Sequence, residues 1–264
     1  MAKKPNYQKI MKTKWTSNSK TNTVISLVVI VLLAFVIPKL TENKTNTSTT
    51  NNALDSNQVA KITKGDTDLE TSLKKLAYTG EQIVSVNNGD PGFTKDELSL
   101  AKGSHQEYGD LDQLNRVTIA KAMLGKDLMP TTERERLYVN PTGYKNKRIM
   151  INGHEDWLYN RCHMIGYQLT GQNNNLKNLF TGTRSLNDPG MTKYENEIAQ
   201  YLKSTNNHVY YVVQPIFVGD ELVPRGVSMR AQSVENSEIK FNIYIFNVQT
   251  GYTINYQNGT SKKG

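Results

Sequence analysis

Between His208 and Gln257 the chain alternates β-branched and aromatic runs with turn residues: HVYYVVQPIFVG (208–219), RGVSMRAQSV (225–234), IKFNIYIFNV (239–248) and YTINYQ (252–257). Such side chains suit a pleated, half-buried surface, and runs of this length with short breaks are the pattern of an antiparallel sheet. Just upstream, MTKYENEIAQYLKST (191–205) places Tyr194, Ile198 and Tyr201 or Leu202 on one face of a helix. The patterning predicts an α+β fold, a central antiparallel β-sheet with flanking helices. With 264 residues, 37% of them hydrophobic, the chain is long enough to bury a substantial core.

Nearer the N-terminus, Leu69, Leu73 and Leu76 have the spacing of one helical face within residues 59–78, and EQIVSVNNGDPGF (81–93) reads as a strand running into a turn. Thr94 and Glu97 form a capping-box pattern that opens a short helix. RVTIAKAML (116–124) leans to strand because it begins with β-branched residues.

Residues 24–37, VISLVVIVLLAFVI, contain one polar residue, Ser26, and follow six lysines with no acid among them. This is an export signal. No small-x-small cleavage site closes it, which favours an uncleaved signal-anchor over 24–40. The lysines place residues 1–23 in the cytoplasm. Residues 41–58, rich in Thr and Asn and nearly devoid of apolar side chains, read as a disordered linker, leaving 59–264 as the folded, exported domain.

The net charge of +8 resides mostly in that leader, since 25 basic residues face 24 acidic ones beyond residue 40. Affinity of the exported part for nucleic acid must therefore rest on local patches. One stretch is a candidate: Arg116, Lys121, Lys126, Arg134, Arg136, Lys145, Lys147, Arg148 and Arg161. A solvated charged face accounts for most of them individually.

The sole cysteine sits beside a histidine in NRCHMIGYQL (160–169), followed by TGQNNNLKNLFTGTRSLNDPGM (170–191) and the helix bearing Glu195. Histidine, asparagine and a helical glutamate within about thirty residues are suitable parts for hydrolysing a phosphodiester. Neutral His163 can take a proton from water. An Asn carbonyl can ligate a hard divalent cation, Mg²⁺ or Mn²⁺ in its place, and Glu195 can hold a water bound to that ion.

NRCHMIGYQ, NLKNLFTGTRSLN and YENEI resemble the DNA/RNA non-specific endonuclease family, the ββα-metal or His-Me finger nucleases, and most closely its membrane-linked DNA-uptake nucleases and secreted DNases of Gram-positive bacteria. LDQLNRVTIAKAML, PTGY, LVPRGVSM and FNIYIFNVQTGYTINYQNG extend the resemblance over about residues 75–260. It implies a ββα-metal catalytic core in which the Asp-Arg-Gly-His motif falls on Asn160, Arg161, Cys162 and His163, with His163 as general base. It further implies Asn187 as metal ligand, and Asn178 and Glu195 as residues positioning the metal and its waters. Asn160 replaces Asp and Cys162 replaces Gly. The arginine that some members carry one turn after the glutamate is Ala199, so Arg161 or Arg184 is left to stabilise the transition state. The implied substrate is DNA, with RNA alongside it.

Rival readings follow from the same residues. A Cys162–His163 dyad is disfavoured because consecutive strand residues point to opposite faces. Zinc at His154, Cys162 and His163 lacks paired ligands, since HEDWL carries no second histidine. Asn173, Asn174 and Asn175 read as turn formers, and Tyr167, Phe180 and Tyr194 as core residues before base-stacking ones. A non-catalytic cell-surface DNA receptor on the same scaffold is the alternative function. The leader generates a topological prediction: protease added to intact cells should remove the domain. A domain that survives while other surface proteins are digested would overturn the anchored, outward-facing arrangement.

Overall fold

The computed structural model describes residues 66–264. The expected cytoplasmic N-terminus, anchor and linker (1–58), with residues 59–65 of the first helix, lie outside the described residues. All of the described residues fall within one compact unit. Among the described residues no helix is long and apolar enough to cross a membrane.

In chain order the elements are helix α1 (Asp66–Leu73); strands β1 (Ile83–Ser85), β2 (His105–Tyr108), β3 (Ala120–Leu124), β4 (Arg148–Ile151), β5 (His154–Trp157) and β6 (Tyr159–His163); the one-turn helix α2 (Tyr167–Thr170); strand β7 (Leu179–Thr183); helix α3 (Thr192–Ser204); and strands β8 (Val209–Ile216), β9 (Gly226–Ser233), β10 (Lys240–Phe246), β11 (Tyr252–Ile254) and β12 (Ser261–Lys263). Six of them form the main sheet in the order β1-β10-β9-β8-β3-β2, with every neighbouring pair antiparallel.

Period-two alternation in β8 to β10 gives each face of this sheet its own cover. Val209, Tyr211, Val213, Met229 and Ile245 share a cluster with Ile198, Tyr201 and Leu202 of α3. The opposite face, through Ile216, Tyr244 and Phe246, packs on Leu69 and Leu73 of α1, the helical face expected from their spacing. Pro215 of β8 lies beyond Val213, the last residue paired with β3, where a missing N–H is tolerated.

Three details differ from the sequence reading. YTINYQ does not join the main sheet; β11 pairs with β12 in a separate ribbon. Thr94 and Glu97 do form the reciprocal capping bonds (2.9 and 3.2 Å), but only a single turn follows them. The β4–β5 hairpin, which carries no turn signal beyond Asn152 and Gly153, was not expected; both residues adopt positive φ.

β6 and β7 pair antiparallel, from Tyr159↔Thr183 to His163↔Leu179, and the chain then enters α3, so the three make a β–β–α finger. One side chain ties this finger to the sheet. Asn247, just past β10 and wholly buried, accepts from Thr183 N–H (2.8 Å) and donates to the carbonyls of Thr181 (3.0 Å) and Pro224 (2.9 Å). Beside it, Ser185 N–H donates to Gln249 Oε1 (3.1 Å) and Thr183 Oγ1 to the Val248 carbonyl (2.8 Å). Asn247→Ala strands these buried groups, each worth about 1–3 kcal/mol when unpaired. Urea unfolding should report a loss of at least ~2 kcal/mol, and a variant as stable as the wild type would show that the clamp is dispensable.

Candidate active site

A cleft of about 970 Å³ opens on the finger, and His163, Arg161, Asn187, Glu195, Arg184 and Arg134 are among its lining residues. β6 supplies the first two from alternate positions on one face. Cys162 between them points the other way, into the core, where it is fully buried and burial pushes its thiol far above the usual range. The cysteine is thus a packing residue. It presses so closely on Gly182 that a Cβ there would collide with its sulfur.

His163 is nearly buried. Its Nε2 lies 2.8 Å from the Asn173 carbonyl, which can only accept, so Nε2 carries the hydrogen and the lone pair remains on Nδ1. Nδ1 faces Arg134 Nη2 at 3.4 Å. Burial, with the Arg134 charge adding to it against the Asn173 bond, holds the imidazole pKa down at about 4. The ring is therefore neutral at physiological pH, with its basic nitrogen beside a guanidinium.

Glu195 enters from the first turn of α3, and its Oε1 accepts from Gly166 N–H at 2.9 Å. Burial raises its pKa to about 8, against the Gly166 bond and the Arg134 charge. A Cβ on residue 166 would lie 2.8 Å from both carboxylate oxygens, so the approach requires glycine at that position. Asn187 is the second residue of the π-helical turn Leu186–Met191, and its side-chain amide has no hydrogen-bond partner among the described residues. An uncommitted amide oxygen and a buried carboxylate that a cation would help to ionise fit a hard, oxygen-seeking ion. Among the described residues no three His, Cys, Asp or Glu side chains converge as a metal cage. The His154–Cys162–His163 zinc site is accordingly absent: Cys162 faces the core, and His154 is exposed on β5.

Other expected residues take different parts. Asn178, expected to position the metal and its waters, does not line the cleft. Fully buried, it accepts from Ile165 N–H (2.9 Å) and donates to the Ile165 carbonyl (3.0 Å), clamping the chain just after His163 as a positioning residue. Arg184 reaches the cleft but is held by Asp156 (2.9 Å) and Asp188 (3.0 Å), while Arg161 donates to Asn140 Oδ1 (3.0 and 2.7 Å) and lies over the Tyr144 ring. Of the basic stretch 116–161, only Arg134, Arg136 and Arg161 line the cleft; Arg116, for one, pairs with Asp112. Asn175 is a turn former, whereas Asn173 and Asn174 bond the strap 135–138 that brings in Arg134 and Arg136. Phe180 is core and Tyr194 packs on Phe241, but Tyr167 lines the cleft beneath Arg134.

The opposed shifts of His163 and Glu195 carry a stability signature. A depressed His163 contributes stability that is lost as pH falls from 6.5 toward 4; a raised Glu195 contributes stability lost as pH climbs from 4.5 through 8. Between pH 6.5 and 8 only the second operates, so metal-free protein should lose on the order of 1–2 kcal/mol across that window through this group. Urea titrations in EDTA at both ends should show the slope, and Glu195→Gln should flatten it; an unchanged slope in the variant would refute the assignment.

The family profile for DNA/RNA non-specific endonucleases matches residues 98–235, more than half of the chain. Among solved structures, NucA from Streptococcus agalactiae with magnesium bound is 22% identical with a TM-score of 0.60, over 69% of this chain and 86% of that one. The Sda1 nuclease with bound zinc is 26% identical with a TM-score of 0.55, over 61% and 82%. An extracellular endonuclease is 21% identical with a TM-score of 0.52, over 70% and 99%. The sheet, the finger and a profile that spans His163 to Glu195 lead to one conclusion: the chain belongs to the DNA/RNA non-specific endonuclease family.

Proposed function

We propose that this nuclease is an extracellular, Mg²⁺-dependent endonuclease that hydrolyses phosphodiester bonds of DNA, with RNA as a further substrate and little sequence preference. The observation that carries the reading is the His163 ring in the cleft, held at Nε2 by the Asn173 carbonyl so that Nδ1 is turned toward Arg134. Nδ1 accepts the proton of the attacking water. Arg134, beside Nδ1, is better placed to meet the scissile phosphate than Arg184, which two carboxylates already hold; Arg161 lines the same cleft. Asn187 is the side chain that would hold the ion, and Glu195 would help to position it and its water. When bound, Mg²⁺ supplies charge neutralisation for the phosphate and the departing oxygen. A site aimed at phosphate reads no base edges, which accounts for low sequence preference. The apolar run 24–37 and the likeness to an extracellular endonuclease support an exported domain, tethered through residues 24–40.

Plasmid degradation by the full chain with Mg²⁺, halted by EDTA, separates this reading from a receptor, which would only retard the DNA. His163→Ala should cut turnover by ~10²–10⁴-fold with DNA affinity retained. Asn187→Ala should abolish activity at ordinary Mg²⁺ concentrations, while Cys162→Ala keeps most of it. An active His163→Ala, or an inactive but folded Cys162→Ala, would sink the mechanism.

A further inference from the structure

The β4–β5 hairpin has no part in the chemistry above, yet it stands at the mouth of the same cleft. Its two faces differ by the period of the strand. Ile149 and Ile151 turn inward, onto Leu158, Tyr159, Val223 and Ile254. Arg148, Met150, Glu155 and Trp157 therefore share the outward face, where Met150 is 57% and Trp157 43% exposed. Large apolar side chains left bare on a small hairpin call for a reason.

Arg148 and Trp157 are direct cross-strand partners, so they lie side by side on that face. The Arg148 guanidinium is stacked 4.2 Å from the centre of the indole, and a Glu155 carboxylate oxygen lies 3.5 Å from it. Arg148 thus covers part of the ring, and the exposure of Trp157 is what remains. Trp157 also lines the cleft that holds His163 and Asn187. The adjoining Asp156 is bonded to Arg184, which fixes the hairpin to the finger.

We infer that Trp157, backed by Arg148 and flanked by Met150, is a stacking subsite for one unpaired nucleobase next to the phosphate in the cleft. This rests on the nuclease reading of the cleft. A base within a duplex has both faces covered by its neighbours, so only a single-stranded or splayed base can lie on the indole. The hairpin therefore biases the enzyme toward single-stranded nucleic acid, without selecting among the bases, because every base offers a π-face.

The test measures binding of short oligothymidylate and of a matched duplex to the full chain in EDTA, where the strands stay intact. Trp157→Ala should lower single-strand affinity by roughly 5- to 150-fold, the usual worth of one stacked base, and duplex affinity by much less. Trp157→Phe should recover most of the loss. Oligothymidylate should quench tryptophan emission in the wild type. The quench should vanish in Trp157→Phe, whose remaining tryptophan is Trp15, and this holds the inference to account even if the alanine variant folds poorly. Equal losses for both ligands, no loss for either, or a quench that persists in Trp157→Phe would overturn the subsite. Plasmid degradation by the wild type with Mg²⁺ is scored separately: its failure condemns the nuclease reading, whereas degradation together with an unaltered strand preference in Trp157→Ala condemns only the subsite.

Discussion

The attachment of the finger to the sheet through Asn247 is the interaction on which the site depends. Among the described residues β6 and β7 pair only with each other, and a two-stranded ribbon is marginal by itself. Its geometry is borrowed from the main sheet. Asn247 satisfies backbone groups at the end of β7, the Val248 carbonyl and Gln249 hold the Thr183 hydroxyl and Ser185 N–H, and α3 lies on the sheet through Ile198 and Leu202. His163 at the end of β6, Asn187 after β7 and Glu195 in α3 are thereby carried on one rigid support.

Within that support, low dielectric does the tuning. Removing His163 and Glu195 from water disfavours the charged form of each, which lowers the pKa of the base and raises that of the acid. The backbone sets the orientation: the Asn173 carbonyl selects the tautomer, Gly166 N–H holds the carboxylate, and Asn178 clamps Ile165 between them. Arg134 is the charge common to both groups, opposing protonation of His163 and favouring ionisation of Glu195. A basic nitrogen, a latent carboxylate and an uncommitted amide thus face one cleft.

The strap that delivers Arg134 shows how far irregular backbone can matter. Residues 130–147 contain no helix or strand, and their placement comes from side chains elsewhere: Tyr167 donates to the carbonyls of Thr132 and Glu133, and Asn173 and Asn174 bond the residues that follow. Asn173 consequently serves twice, fixing the strap through its amide and His163 through its carbonyl.

Periodicity and local chemistry were sufficient for the antiparallel sheet, for helix α3 and for the inward turn of Cys162, because a two- or 3.6-residue repeat is recorded in neighbouring residues. The His163–Asn187–Glu195 grouping was legible for a similar reason: it occupies one short stretch, and its spacing matches a family. Arg134, Gly166, Trp157 and the clamping part of Asn178 were not legible. Arg134 stands 29 positions before the histidine it faces, in a segment without periodicity, and nothing local to Gly166 announces the carboxylate that excludes a side chain there. Trp157 reads as any aromatic until the hairpin register sets it against Arg148 at the cleft. Local patterning was enough for strands β8 to β10 and helix α3, and local spacing pointed to His163, Asn187 and Glu195 as candidates. Which arginine meets the histidine, which asparagine is buried against Ile165 and which is left uncommitted, and what lines the cleft were decided by tertiary structure, since contacts between distant segments exist only once the sheet has brought them together.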